Sequence, residues 1–395
     1  MTDRLLTDDR YFKRPTLDPE KYQRIIYDPG LVTRIILNRP RYLNATSHAE
    51  LAEIDDAFDH AAVDDNCNVV VLSGNGNSFC SGDDVMGLTP ESAPTLWDGA
   101  ARPVEKLIEQ YGSESAVWHQ FNIEHDYFIG SADGLSPFLT KVRAMPKPTI
   151  AMVHGYTSFY GYWLSQACDL VFAEENTLFL GAGIGLKELW NMGPRMAMEF
   201  LLEHRFMTAQ EALELRMINR VYPGRETLER ETLAFAYRIA DENADGLRHA
   251  KEAFLNMQDI LGFTTINTLG RTPYSDAWRK MAAGGHRNRY EGKGMARTPL
   301  ALANLRDKLQ AEGKPVPANV QAAIERASAR DDQGTWQRVL HSEWREHERL
   351  ERTDASAANY AKFVEEQKRR KSEEVARRGL NIPGVEKVGL ERIRD

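Results

Sequence analysis

The chain has 395 residues, of which 42% are hydrophobic and 27% charged, and its formal net charge is −8 at pH 7. This composition is typical of a globular protein with one large domain or two smaller ones, and the acidic balance argues against nucleic-acid binding through a basic surface. The sequence contains neither a run of about 18 apolar residues nor an apolar leader, so we expect a cytoplasmic protein without a membrane span.

The chain begins with a predicted arm and a hairpin. Residues 1–20 are polar and predict an arm outside the core. Two apolar runs at 22–28 and 31–38 flank the pair Pro29-Gly30. Because Pro-Gly favours a tight turn, these runs predict a β-hairpin.

A helix and a buried strand follow the hairpin. Ser47 with Glu50 three positions later is a capping box, and it predicts a helix that ends near Val63. The apolar run at 69–72 predicts a buried strand, which leads into a glycine-containing turn at 79–84.

Residues 88–136 predict an insertion with structure of its own. The segment is long and rich in aromatic and histidine residues, and His125 is one of them. Long segments between elements of a compact domain are often functional. Two interpretations stay open at this point: a roof over the functional site, or a surface that packs on a neighbouring subunit.

The second half of the chain repeats strand and helix signals. A second strand-to-turn segment runs from 148 to 169, and further strands are predicted at 169–173 and 177–180. Helices are predicted at 193–204 and 208–216. Such repeated units favour an α/β core. Residues 226–290 predict further helices, and 291–395 a charged, mainly helical extension whose exposed helices wrap the core or a neighbouring subunit.

The two glycine-containing turns carry the functional signal. Each turn follows a buried strand and should expose backbone N–H groups. Two such groups aimed at one point form an oxyanion hole, which stabilises negative charge on a carbonyl oxygen. The pair therefore predicts thioester carbonyl chemistry rather than a binding module.

The motifs in and around these turns resemble those of the crotonase (enoyl-CoA hydratase/isomerase) superfamily. The supporting segments, in order, are Asn38-Arg39-Pro40 with Asn44-Ala45, Phe79-Cys80-Ser81-Gly82-Asp83-Asp84, His154-Gly155-Tyr156 with Cys168-Asp169-Leu170, Thr208-Ala209-Gln210-Glu211-Ala212, and Ile218-Asn219-Arg220-Val221-Tyr222-Pro223. The resemblance covers residues 20–290. It implies a ββα superhelix, the crotonase spiral, over 21–225, with helices at 226–290 that form a trimer or hexamer.

The same resemblance implies the substrate and the cofactor. The substrate would be an acyl-CoA thioester, and coenzyme A would enter only as part of it, with no permanently bound cofactor. Cys67, Cys80 and Cys168 lack metal-ligand spacing, so we expect buried thiols and no metal site.

Individual site residues follow from the resemblance position by position. It implies oxyanion donors at the backbone N–H groups of Ser81 and Tyr160. Coenzyme A would lie along Arg39 to Asn44 and the Ser81 turn, and Asp84 takes the place of a family aspartate. The family has glycines where this chain has Phe159 and Tyr160, so we expect a reshaped acyl pocket, with Phe159 and Tyr162 among the residues that bind substrate.

The proton-handling positions depart from the family. Trp163 and Gly183 occupy the positions of the two glutamates that activate water in a family hydratase. Neither side chain can replace a carboxylate in acid–base work. A shifted alignment brings Glu188 towards the second position, and Asp83 and His125 are further candidates.

These departures leave several reactions open. We expect an enzyme without ordinary two-glutamate hydration, acting on a bulky cyclic or aromatic acyl-CoA. Hydration by relocated groups, double-bond isomerisation and C–C cleavage by a hydrolase or lyase remain alternatives, as does cofactor-free oxygen chemistry. A different class of function, a catalytically silent CoA-binding subunit, also remains.

Overall fold

The computed structural model describes residues 15–82, 136–181, 190, 192–203, 205–265 and 293–331. The strands are β1 (Ile25–Asp28), β2 (Val32–Leu37), β3 (Val69–Gly74), β4 (Thr149–Val153), β5 (Tyr156–Ser158), β6 (Leu170–Glu174), β7 (Leu178–Leu180), β8 (Met207–Thr208) and β9 (Arg220–Tyr222). The helices are α1 (His48–Val63), α2 (Pro137–Arg143), α3 (Tyr160–Ala167), α4 (Pro194–Glu203), α5 (Ala209–Glu214), α6 (Gly224–Ala240), α7 (Ala244–Ile260), α8 (Lys293–Ala311) and α9 (Ala318–Asp331). Strands and helices alternate along most of the chain, which defines an α/β protein.

The main sheet has six strands in the order β1-β2-β3-β4-β6-β9. β1 and β2 pair antiparallel, with Ile25 opposite Leu37, which confirms the predicted hairpin. The other neighbours pair parallel. β3 and β4 are buried along their whole length, because helices cover both faces of the sheet.

Alternate side chains of β3 divide the core into two layers. Val70 and Leu72 enter a cluster that also contains Phe58 of α1 and Leu164 of α3. Val69 and Val71 point to the opposite face, which is covered by α6. The two-residue period of a strand thus explains why a continuous apolar run is needed here.

Helix starts follow the capping signals in the sequence. The Ser47 side chain accepts a hydrogen bond from the Glu50 N–H at 3.3 Å, which confirms the predicted start of α1. Thr208 caps α5 in the same way, through the Glu211 N–H at 3.2 Å.

A second, smaller sheet has the order β5-β7-β8. β5 pairs parallel with β7, and β7 pairs antiparallel with β8. One face of this sheet, together with Phe206, packs against apolar residues of α8 and α9. We call this set the third cluster; its buried members are Leu178, Leu180, Phe206, Ala301, Leu302, Leu305, Leu309, Val320, Ala323 and Ile324.

The beginning of the C-terminal extension is therefore attached to the core. We expected exposed helices there, but α8 buries Leu302 and Leu305 completely or nearly so in the third cluster. Lys308 on the same helix forms ion pairs with Glu199 at 3.0 Å and Glu211 at 3.3 Å. In the ranges that the structure describes, no helix is both long and apolar enough to cross a membrane.

Candidate active site

A short parallel ladder joins the two predicted turns. The Cys80 N–H donates to the Tyr156 carbonyl at 3.0 Å, and the Ser158 N–H donates to the Cys80 carbonyl at 3.0 Å. One step earlier, the Phe79 N–H donates to the His154 carbonyl at 2.7 Å. These bonds hold the start of the first turn against β5, which directly precedes α3, so the sequence correctly predicted that the two segments meet.

Two glycines permit this close approach. A Cβ atom on Gly161 would lie 2.5 Å from the Cys80 Cβ and 2.6 Å from the Cys80 carbonyl oxygen. A Cβ atom on Gly82, whose φ is +112°, would lie 2.7 Å from the Phe159 Cβ. No side chain fits at either position without moving the backbone.

Phe159 precedes α3 in a backbone conformation that normally requires glycine. Its φ is 48° and its ψ is −115°, and a residue with a Cβ atom is strained there. Its N–H donates to the Leu180 carbonyl at 2.9 Å, and its carbonyl accepts from the Trp163 N–H at 3.0 Å. The ring is partly buried and packs against the third cluster. It therefore lies between the C-terminal extension and the place where the two turns meet, which we call the junction.

The N–H of Ser81 is bonded within the protein, whereas we predicted that it binds the thioester oxygen of the substrate. It donates to the Leu43 carbonyl at 2.9 Å, so it is already used within the protein. The prediction of Ser81 as an oxyanion donor is therefore wrong. The next donor is the N–H of Gly82, which faces the Cys80 Sγ at 3.4 Å. Because sulfur is a weak acceptor, this N–H at the end of the turn is better suited than that of Ser81 to bind an anionic oxygen.

Tyr160 is the first residue of α3, as the second predicted donor requires. The N–H groups of the first turn have no acceptor within their own helix and point out of its N-terminus, which carries partial positive charge. The Tyr160 side chain is fully buried. Tyr160 thus stands at the N-terminus of α3, and its oxyanion role stays a prediction.

Trp163 lies one turn into α3 and brings no carboxylate to the site. Its side chain is 6% exposed, and its ring contacts that of Tyr160 with centroids 6.1 Å apart. Among the residues that the structure describes, its indole nitrogen Nε1 has no hydrogen-bond partner. Trp163 is thus a buried donor, and its correspondence to the family glutamate stays a prediction.

Tyr162 belongs to the core and not to the acyl pocket. It is 0% exposed, and its hydroxyl lies 3.5 Å from the Met217 Sδ. Residues two apart on a helix point to nearly opposite sides, so Tyr162 faces away from the side shared by Tyr160 and Trp163. Its predicted role in substrate binding is wrong for this reason.

Asn44 organises the first turn from within. Its amide nitrogen donates to the Asn75 carbonyl at 2.9 Å and the Ser78 carbonyl at 2.8 Å, and its Oδ1 accepts from the Arg39 N–H at 2.8 Å. The side chain is completely buried. The predicted contact with substrate is therefore replaced by a positioning role.

Arg39 has a similar structural role. Its guanidinium donates to the Ala45 carbonyl, lies 3.4 Å from a Glu50 carboxylate oxygen and stacks over the Tyr42 ring at 4.7 Å. These contacts hold the loop beneath the first turn. They direct the charge towards the protein, contrary to the predicted substrate contact.

Five predicted site residues lie outside the described residues. They are Asp83, Asp84, His125, Gly183 and Glu188. Most of the insertion at 88–136 also lies there. Their roles stay predictions.

Two buried basic groups lie behind the first turn, and of these Arg225 was missed from the sequence. Burial and the nearby Arg225 guanidinium lower the pKa of His154 to about 3, so the ring is neutral and its Nε2 can donate to the Gly76 carbonyl at 2.8 Å. Burial lowers the pKa of Arg225 to about 10, and its guanidinium donates to the Gly74 carbonyl at 2.7 Å. Both groups fix the loop that leads into the site.

Comparisons with known proteins identify the family. Residues 130–266 match a family model described as Enoyl-CoA hydratase/isomerase, and residues 32–113 match a second model of that description. The chain is 30% identical over 260 residues to the Mycobacterium tuberculosis protein named "Putative enoyl-CoA hydratase EchA13". The aligned region covers 62% of this chain and 78% of that protein. The chain therefore belongs to the enoyl-CoA hydratase/isomerase family.

A solved structure supports the expected fold. The crystal structure of an enoyl-CoA hydratase/isomerase from Xanthobacter autotrophicus Py2 matches with a TM-score of 0.51 and 26% identity. The match covers 78% of this chain and 99% of that one. The crotonase-type fold predicted from the sequence is confirmed.

Proposed function

We propose that this protein is an enzyme that transforms an acyl-CoA thioester by stabilising an enolate oxygen. The observation that carries the proposal is the junction between the Gly82 turn and the N-terminus of α3, held by the ladder through Cys80. The thioester oxygen would accept from the Tyr160 N–H and from a donor at the end of the first turn. Each oxyanion-hole donor contributes about 3–4 kcal/mol to a transition state of this kind.

The acid–base chemistry would differ from two-glutamate hydration. Trp163 places an indole where a family hydratase has its first glutamate, and an indole N–H neither accepts a proton nor activates water. Proton transfer would fall to groups elsewhere, for which Asp83, His125 and Glu188 are the candidates. Isomerisation or C–C bond cleavage would fit such an arrangement.

The acyl group would be bulky, cyclic or aromatic. With Tyr162 in the core, this part of the proposal depends on Phe159 and Trp163, the two aromatic residues at the start of α3 that are not fully buried. Coenzyme A would take part only as the carrier of the acyl group.

A catalytically silent CoA-binding subunit is the second candidate. The observation that favours it is the replacement of a catalytic carboxylate by the buried Trp163 ring. The close approach of the backbone at Gly82 and Gly161 favours the enzyme instead, since a silent subunit has no need for an oxyanion hole.

The surface of α7 supports a homotrimer or homohexamer. None of its side chains is buried; Phe254, Met257 and Ile260 are exposed, as is Leu261 directly after the helix. Several large exposed apolar side chains on one segment are typical of a subunit interface. Light scattering should give a mass of three or six chains, and a mass of one chain would contradict this part of the proposal.

Turnover of a substrate panel tests the function directly. The purified protein is incubated with linear enoyl-CoAs and with cyclic or aromatic acyl-CoAs, with and without oxygen, and products are identified by mass. Turnover only of bulky substrates supports the proposal, and the mass change identifies the reaction. Addition of water to crotonyl-CoA would overturn the proposed loss of ordinary hydration. Binding without any turnover would favour the silent subunit.

A further inference from the structure

The indole N–H of Trp163 is a buried donor that nothing in the described structure satisfies. The side chain is 6% exposed, and Nε1 has no hydrogen-bond partner among the described residues. Buried polar groups in folded proteins are nearly always paired, so an unpaired one calls for an explanation. A ligand that supplies the acceptor is such an explanation when the donor lies at a binding site.

The position of the indole on α3 places it beside the candidate oxyanion hole. Side chains on a helix lean towards its N-terminus, so a residue at the fourth position covers the turn that begins the helix. The contact between the Trp163 and Tyr160 rings, 6.1 Å apart at 70°, confirms this direction. Three residues of helical rise, about 4.5 Å, separate the two residues along the axis.

We propose that Trp163 Nε1–H donates a hydrogen bond to a second oxygen of the acyl group, distinct from the thioester oxygen. This inference rests on the proposed function, because it takes the thioester oxygen to lie at the start of α3. The substrate is then an acyl-CoA that carries a ketone or carboxylate oxygen near its β-carbon. A purely hydrocarbon acyl chain leaves the indole unpaired.

The chemistry of the indole selects this class of substrate. Tryptophan Nε1–H is a donor only, so it recognises an acceptor oxygen and discriminates against an apolar group. Sites that hydrogen-bond a substrate discriminate strongly against analogues that lack the bonding group, because the buried protein group is then left unpaired. Trp163 is thus a specificity-determining residue and takes no part in proton transfer.

Binding of matched ligands tests the proposal. The probes are unreactive analogues of a bulky saturated acyl-CoA and of its 3-oxo counterpart, in which a CH2 group replaces the thioester sulfur and the carbonyl oxygen is kept. They are titrated by calorimetry. The protein should bind the 3-oxo analogue about 10-fold more tightly, which corresponds to about 1.4 kcal/mol. Trp163→Phe keeps an aromatic ring but removes the N–H, and it should abolish this preference, so that the variant binds the two analogues equally.

Tyr162→Phe is the matched control on the same helix. It also removes one polar group from a buried aromatic residue, but that hydroxyl faces Met217 in the core. The 3-oxo preference should persist in this variant. A preference that survives in Trp163→Phe, or disappears equally in both variants, would overturn the proposal.

A spectroscopic measurement on the unaltered protein keeps the test independent of the variant's folding. In protein labelled with ¹⁵N-tryptophan, the seven tryptophans give seven expected indole signals. The Trp163 signal should shift downfield with the 3-oxo analogue and not with the saturated one. If neither analogue binds, the proposed function fails; if both bind equally and the signal does not respond, only the role of Trp163 fails.

Discussion

The two sheets of the molecule differ in how they are held together and in what they hold. The six-stranded sheet has regular strands of up to six residues, with apolar side chains on both faces. The three-stranded sheet has strands of two or three residues, and Phe159 follows β5 in a strained conformation. Helices between residues 48 and 240 cover the large sheet, whereas α8 and α9 of the C-terminal extension cover one face of the small sheet.

This difference indicates which parts of the fold hold the two turns of the candidate site in place. The large sheet fixes the ends of β3 and β4, from which the two turns start. The strained segment that begins α3 lies over the small sheet, where the third cluster surrounds it. Strained backbone persists only when its surroundings impose it. We therefore expect changes at the junction and in the third cluster to affect activity more than changes of equal size in the large sheet.

Gly161→Ala should break the junction and have the largest effect. Its new methyl group would lie 2.5 Å from the Cys80 Cβ, so either the turn or the start of α3 must move. Loss of one aligned donor should lower kcat about 100-fold or more, and overpacking should lower the free energy of unfolding by about 1–3 kcal/mol. Turnover and urea unfolding measure the two effects.

Gly246→Ala is the control for the loss of a glycine. Gly246 lies in the first turn of α7, and a methyl group added there would have Asn243 Oδ1 as its nearest neighbour at 3.6 Å. Stability should stay unchanged or rise by up to about 1 kcal/mol. Normal turnover by Gly161→Ala would show that the junction is not part of the active site.

Leu305→Ala should show whether the extension supports the site. Leu305 is 0% exposed in the third cluster, so truncation should cost about 2–5 kcal/mol of unfolding free energy. Because the cluster also contacts Phe159, kcat should fall at temperatures where the variant remains folded. Leu202→Ala, at a side chain that is 71% exposed, should change neither quantity appreciably. Full kcat in folded Leu305→Ala would mean that the extension only adds stability.

The sequence predicted the large sheet better than the site. Apolar runs and the Ser47 cap contain the information for β3, β4 and α1, because burial and capping are local patterns. The partner of the Ser81 N–H is Leu43, a contact between distant segments that no local pattern encodes. The helical period alone places Tyr162 on the opposite side of α3 from Tyr160. Alignment to a motif gives a residue's position in the chain but not the direction of its side chain.

The buried His154 should make stability depend on pH. Its pKa is lowered from 6.5 to about 3 in the folded protein, so between these values the unfolded chain binds more protons. The free energy of unfolding is therefore fully retained above pH 6.5 and falls as the pH decreases, by at most about 1.4 kcal/mol per unit. From pH 6.5 to 5 the loss should approach about 2 kcal/mol.

Urea unfolding of His154→Asn at several pH values isolates this contribution. The difference in unfolding free energy between the protein and the variant should shrink as the pH falls from 6.5, because the variant lacks the titrating ring. His249→Asn, at a side chain that is 68% exposed, is the control for the loss of a histidine at the surface. A constant difference for His154→Asn would mean that the ring titrates normally in the folded state.

Phe159 offers the finest test, because two truncations separate its packing from its backbone strain. Phe159→Ala and Phe159→Gly both remove the ring from the third cluster, so both should lose stability. At a φ of 48° and ψ of −115°, however, alanine keeps the strain and glycine relieves it. Phe159→Gly should therefore be more stable than Phe159→Ala by about 1 kcal/mol, the reverse of their usual order in regular structure. Equal stability, or a more stable alanine variant, would show that the small sheet imposes no strain on this residue.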